Sequence, residues 1–206
     1  TIDAMERGRP AVLLGAGIGI TPLLSMLRHV VHEGDRTRHR RPVWLFRSAR
    51  RREERAFDRE IGELVERNEE TIHDVRVLSQ PDSGDTASHD VVGRIDMDML
   101  KKHLPFGDYD FYVCGPAPFM QEIYDGLRRL NIADARIHAE TFGMSSLTRK
   151  PDAGATGAMP QRPASTRPVP VAFMNALKEA RWTPGSGTLL ELAEARGLEP
   201  EFSCRE

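Results

Sequence analysis

Ala11-Val12-Leu13-Leu14-Gly15-Ala16-Gly17-Ile18-Gly19-Ile20-Thr21-Pro22-Leu23-Leu24 decides how the rest of this 206-residue chain is read. Four apolar residues ending in glycine predict a buried strand, and the apolar period then changes at once to a helical one. The alternating Gly15, Gly17 and Gly19 let backbone N–H groups approach a ligand that a Cβ would obstruct. Thr21 is placed to cap the following helix, and Pro22 suits its first position, where a missing N–H costs nothing. A helix start behind a glycine turn is an anion site, because unpaired N–H groups and the helix dipole point the same way. Ile20 stands where the G-x-G-x-x-G pattern has glycine, and there is no lysine for a Walker loop. As a bare pattern, the stretch also fits a plain structural strand–turn–helix.

Outward from it, strands and helices alternate. Leu23, Leu27, Val30 and Val31 predict one face of a helix stopped by Gly34. His29 and His32 flank that stripe and read as solvent-facing, since no third ligand lies at metal-binding spacing. Val43–Phe46 is a second strand, and Phe57, Ile61, Leu64 and Val65 mark a second amphipathic helix. Residues 74–79 make a third strand, 80–90 a loop, and 96–103 a short helix. Tyr109–Cys114 is the fourth strand. Gly115-Pro116-Ala117-Pro118 turns it into a helix carrying Phe119, Ile123, Leu127 and Leu130, and 136–140 is the fifth strand. This alternation predicts an α/β fold with a doubly wound, mostly parallel, five-stranded sheet of order 3-2-1-4-5.

Bulk properties narrow the function. With 29 Lys and Arg against 31 Asp and Glu, the net charge of −2 gives no global argument for nucleic acid or an anionic membrane. Apolar runs fall short of a membrane span, and no secretory signal is visible. The chain opens Thr1-Ile2-Asp3 without methionine, which fits an internal piece of a longer protein. Cys114 and Cys204, far apart, suit a reducing compartment, with cytoplasm the default.

In such a sheet, ligands bind beyond the carboxyl ends of the strands where strand order reverses. For this order the reversal falls between the first and fourth strands, so Gly15–Pro22 and Cys114–Pro118 should line one crevice. Those two motifs, with Phe119 and Met120 following, resemble the nucleotide domain of the ferredoxin–NADP reductase family over residues 11–143. The resemblance implies that Gly15, Gly17, Gly19, Thr21 and Pro22 hold a dinucleotide pyrophosphate and carboxamide. It places Cys114, Gly115 and Pro116 beside the nicotinamide ring. Glu140-Thr141-Phe142-Gly143 resembles the end of the same domain, which puts Glu140 near the reacting rings and Phe142 against a flavin. Taken alone, Cys114 also reads as a small buried hydrophobe and Phe142 as a core residue.

The second strand leaves through Ser48 and Arg50. Arginine there suits a 2′-phosphate, whose oxygens its planar fork can bind bidentately, so NADPH is favoured over NADH. Arg50 also lies in an arginine run from Arg36 to Arg59, which reads equally as solvated surface or as a docking face for an acidic electron-transfer partner.

Past residue 143 the composition breaks. Residues 144–168 are rich in Pro, Gly, Ser and Thr and read as a linker between domains 1–143 and 169–206. A strand pair, a short helix and Phe202-Ser203-Cys204 resemble the opening of a plant-type [2Fe–2S] ferredoxin domain of β-grasp type, incomplete here. That resemblance makes Cys204 a cluster ligand in a longer protein; by itself it is one cysteine near a terminus. Reductases of this family carry FAD or FMN on a preceding barrel domain, of which nothing is seen before Ala11.

The sequence therefore predicts part of an NAD(P)H-dependent flavin and iron–sulfur oxidoreductase. Hydride would pass from nicotinamide to flavin, then single electrons to a [2Fe–2S] cluster and an acceptor such as an oxygenase or haem protein. The alternative is an NAD(P)-binding sensor or docking module without turnover.

Overall fold

A computed structural model describes residues 2–84, 89–141, 147–150, 152 and 166–198. The chain divides into two compact units, Thr1–Asp152 and Ala153–Glu206. The larger holds six parallel strands: β1 (Ala11–Ala16), β2 (Val43–Ala49), β3 (Ile72–Leu78), β4 (Val91–Val92), β5 (Asp110–Cys114) and β6 (Ile137–Glu140). They lie in the order β4-β3-β2-β1-β5-β6. The five expected strands keep their expected order, and the sheet is six-stranded because β4 adds an edge just past the stretch read as loop. Two residues cannot show an alternation. β4 is fixed instead from outside, by Arg76 N–H donating to the Asp90 carboxylate (2.7 Å) and Gly93 N–H to the Leu78 carbonyl (2.8 Å).

Alternation along β1 splits the core in two. Val12 and Leu14 face one side, packing with Phe46, Val75, Phe111 and Val113 beneath α3 (Met97–His103) and α4 (Ala117–Arg129). Leu13 faces the other, with Leu45, Tyr112 and Cys114 beneath α1 (Ile20–Thr37) and α2 (Asp58–Glu66). A strand buried on both faces has no polar alternation, which is why β1 reads as a continuous apolar run.

Three local expectations are corrected. α1 runs through Gly34 to Thr37 and ends at Arg38 in the left-handed conformation; Gly34 is buried, with Arg40 Cγ 3.0 Å from where a Cβ would stand. Thr21 lies inside the first turn of α1, its hydroxyl donating to the Ile18 carbonyl (2.9 Å), and Pro22 is the third helical residue. Phe57 precedes α2 with φ of 60° and is exposed, so Ile61 carries the buried face.

Below the sheet, Arg41 is fully buried. It donates to the Arg9 carbonyl (2.9 Å), the Asp3 carbonyl (2.6 Å) and the Asp110 carboxylate (2.6 Å), tying the leading segment to β5. The larger unit continues past residue 143: Thr148 N–H donates to Gln121 (2.9 Å) and Lys150 N–H to the Tyr124 hydroxyl (2.7 Å). In the second unit, β7 (Val169–Phe173) and β8 (Lys178–Trp182) form an antiparallel pair. α5 (Leu189–Ala195) starts with a capping box in which Thr188 N–H donates to the Glu191 carboxylate (2.6 Å). Among the described residues no helix is long and apolar enough to cross a membrane.

Candidate functional site

Parallel register puts the ends of four strands in one row. Arg47 of β2 pairs with Gly15 of β1, Gly15 with Cys114 of β5, and Cys114 with Glu140 of β6. One row further, Ala16 faces Ser48. Residues remote in sequence thus meet at the carboxyl edge of the sheet, where the order reverses.

The two turns leaving β1 and β5 touch. A Cβ on Gly19 would overlap the Cys114 carbonyl and stand 2.6 Å from Gly115 N; a Cβ on Gly115 would lie 3.0 Å from Ala16 Cβ. Gly15 and Gly19 are both buried: the bareness of Gly19 serves this close approach, whereas that of Gly15 makes room for Leu23 of α1, whose Cδ1 would lie 2.9 Å from a Cβ there. Gly17 is the open one: its φ is 56°, its position is exposed, and nothing lies within 4 Å of where a Cβ would stand. Of the three, Gly17 alone is exposed with open space in front of its backbone.

Both turns run straight into helices. α1 and α4 have no side-chain cap and no acidic residue in the first turn. By contrast α2, α3 and α5 each carry an acid there, and α3 and α5 are side-chain capped by Asp96 and Thr188. Ile20 N–H already bonds to the carbonyls of Gly17 and Ile18, and Met120 N–H to that of Pro116, but with no acid or side-chain cap the two helix starts at the crevice keep an uncompensated positive dipole end, which attracts a phosphate.

A cavity of ≈ 380 Å³ opens on the α1 side of β5 and β6, lined by Pro22, Met26, Tyr112, Cys114, His138 and Glu140 among others. Tyr112 and His138 stack there with ring centroids 4.6 Å apart, and burial holds the imidazole below its usual range. Burial, aided by the Glu140 charge, pushes the Cys114 thiol up to about 11. It is a neutral contact at physiological pH, unsuited to nucleophilic attack. Glu140 and Pro116 are exposed, Thr21 is exposed and Phe119 half-buried against Gly115. Met120 turns away into the core beneath α4, since its helical phase is that of Ile123 and Tyr124. Phe142 and Cys204 lie outside the described residues.

At the end of β2, Ser48 is half-buried and Arg50 exposed, its Nε donating to Glu54 (3.1 Å). The arginine run is laced with carboxylates: Arg36 pairs with Glu33, Arg40 with Asp35, Arg59 with Glu63. Arg47 is buried between Asp74 (2.7 Å) and Asp58, and Arg55 also reaches Asp58 (2.9 Å). Sequence reading passes over Arg47, Glu54 and His138. An arginine inside an apolar strand, and the two-residue spacing of His138 and Glu140, are the signals that mark two of them. His29 and His32 are exposed as expected, and the described residues contain no group of three or more His, Cys, Asp or Glu able to hold a metal.

The family described as oxidoreductase NAD-binding domain matches residues 13–125, over half of the chain. The flavohemoprotein of Rhodopirellula baltica is 32% identical over 145 residues, 69% of this chain and 34% of the relative. The flavohem-like FAD/NAD-binding domain of nitric oxide dioxygenase from Vibrio cholerae O1 superposes with a TM-score of 0.55 at 29% identity, covering 68% of this chain and 54% of that one. Flavohemoglobin from Malassezia yamatoensis, solved with FAD and haem, gives a TM-score of 0.52 at 30% identity over 68% of this chain and 33% of its own. The chain spans about a third of the length of the curated relatives it matches.

Proposed function

Because the chain belongs to the oxidoreductase NAD-binding domain family, we propose that it is the dinucleotide-holding part of an NAD(P)H-dependent flavoprotein reductase. The observation that supports this most is the row Gly15–Cys114–Glu140 beneath two uncapped, acid-free helix starts. Nicotinamide, when bound, supplies a hydride, for which FAD carried elsewhere in the protein is the acceptor, as the FAD in the flavohemoglobin relative supports.

The chain's own residues bind and orient. N–H groups of the α1 start, approached across Gly17, hold the pyrophosphate. Gly115 and Pro116 form one wall for the ring, Cys114 a compact neutral floor, and Glu140 the side facing the flavin, to which the family resemblance adds Phe142. Holding reactants in a transfer-ready geometry is the protein's main catalytic contribution here. Thr21 and Pro22 set the first turn, while Phe119 and Met120 keep the second turn seated on the core. Ser48 and Arg50 would meet a 2′-phosphate only once Arg50 leaves Glu54.

We further divide the chain into a nucleotide domain 1–143, a linker 144–168 whose Thr148 and Lys150 pack back on α4, and the front of a ferredoxin-type domain 169–206, in a cytoplasmic protein. The strand pair and capped helix of the second unit agree with that reading. Cys204 would supply only one of the four thiolates a cluster needs. An acceptor protein docking on the arginine run draws less support, because most of that run is already paired.

The test uses the full natural polypeptide carrying this chain, loaded with FAD. NADH or NADPH should bleach the flavin absorbance anaerobically at saturable rates. Tight dinucleotide binding by a protein that takes up no flavin would instead favour the sensor reading.

A further inference from the structure

Adenosine ribose lies beyond the end of the second strand in dinucleotide-binding sheets, where an acid accepts from the 2′-hydroxyl or an arginine takes a 2′-phosphate. In this chain a narrow cleft of ≈ 10 Å³ at that place runs between Gly17 and Ser48 on one side and the short turn Arg52–Glu54 on the other, so a ribose would sit at its mouth. Three guanidiniums stand near it, and each is engaged. Arg47 is buried and spent on Asp74 and Asp58. Arg55, with its side chain 5% exposed, is held by Asp58 (2.9 Å). Arg50 is 72% exposed and turned to Glu54 (3.1 Å). Glu54 is the only carboxylate lining the cleft among the described residues.

We propose that Glu54 sets how this chain discriminates NADPH from NADH. The proposal rests on the dinucleotide reading above. The Glu54 carboxylate offers an acceptor to a ribose 2′-hydroxyl. Against a 2′-phosphate it acts twice: it repels the anion, and it occupies Arg50, an exposed guanidinium just outside the cleft lining that would have to swing in to reach it. NADPH binding must therefore break the Arg50–Glu54 pair, whereas NADH binding leaves it standing. Arg50 alone does not determine selectivity; the pair does.

The experiment measures Kd for NADPH and NADH by calorimetric titration of the 206-residue chain, at low salt and neutral pH. Wild type, Glu54→Gln, Arg50→Ala and the double variant are compared. Glu54→Gln should improve NADPH binding relative to NADH by about fivefold, the upper range for one exposed ion pair. In the Arg50→Ala background most of that gain should vanish, because the arginine to be released is gone. An unchanged NADPH/NADH ratio in Glu54→Gln, or an equal gain for both nucleotides, overturns the role of Glu54 while leaving the dinucleotide site intact. A gain that survives in full without Arg50 overturns the pairing mechanism. Failure of wild type to bind either nucleotide overturns both this proposal and the reading beneath it. Glu54 is a surface residue, so a matching melting curve separates a binding effect from a folding one.

Discussion

Gly19→Ala is the substitution that probes the joint between the two turns. The backbone at Gly19 has φ −59° and ψ −10°, which alanine adopts freely, so the whole cost is steric. The new Cβ would overlap the Cys114 carbonyl, and its 2.6 Å approach to Gly115 N must open to the 3.4 Å of ordinary contact. Both obstacles are backbone of a central strand end and cannot rotate aside. Overpacking of this kind costs about 3 kcal/mol, the upper end of its usual range. For a unit of this size that is a fall in Tm of roughly 6–12 °C. Gly17→Ala is the matched control. It has open space but φ of 56°, so its cost is conformational, about 1 kcal/mol or roughly 2–4 °C. Circular dichroism melts read stability, and calorimetric titration with NADH and NADPH below the lower Tm reads the site. Gly19→Ala should lose affinity by more than about tenfold for both nucleotides, the equivalent of roughly 1.4 kcal/mol. A Gly19→Ala protein melting within about 2 °C of wild type, well under the expected fall, with unchanged affinity, would refute the interlocked turns.

Other outcomes follow from the same geometry. In a Cys204→Ser background, Cys114 should react slowly with a thiol reagent at mildly alkaline pH, because its folded-state thiol titrates near 11; guanidinium should accelerate the reaction strongly. That raised thiol is also a stability statement: the contribution is complete below the ordinary 9 and is lost as pH climbs through 11, so alkaline melts should decline across this window. Asp110→Asn removes the carboxylate shared by Arg41 (2.6 Å) and Arg9 (3.2 Å), leaving buried Arg41 without its counter-charge. Urea unfolding should show a loss of about 3–5 kcal/mol. Burial raises Asp90, but hydrogen bonds from the Arg76 side chain and backbone outweigh it and hold the carboxylate below its ordinary 3.8. Its contribution is present above that value and is lost on acidification below it, so the protection factor of the Gly93 amide, the intrinsic exchange rate at the same pH divided by the observed one, should fall on the acid side in wild type and already at neutral pH in Asp90→Asn.

What can be read from sequence follows from what is local. The period change at Gly15, the apolar run of β1 and the glycine–proline turn after Cys114 are written in consecutive residues, and with the crossover rule they fix the five strands and their order. β4 is not legible because it is held by Arg76 and Leu78, outside its own two residues. Gly34 reads as a stop because a glycine needed for packing against Arg40 looks the same as a glycine needed for a left-handed turn. Gly15 and Gly19 carry the same lesson within the site: beside Gly17 they look like three equal ligand contacts, yet only the folded chain reveals that two of them accommodate Leu23 and Cys114. Buried Arg47 is hidden among neighbouring arginines, since which of them finds carboxylates on other elements is a tertiary fact. Glu54 escapes notice because its place in the cleft depends on a short turn.

Everything proposed for this chain depends on Gly17 and Cys114 opening onto one crevice that holds a nicotinamide dinucleotide. Amide chemical shifts of the isotope-labelled chain, followed during titration with NADH and NADPH, test it most directly. Gly17 and Gly115 should shift together with one saturation curve, with Glu140 following. Saturable shifts at one turn alone, or shifts confined to residues away from both, would contradict a shared crevice.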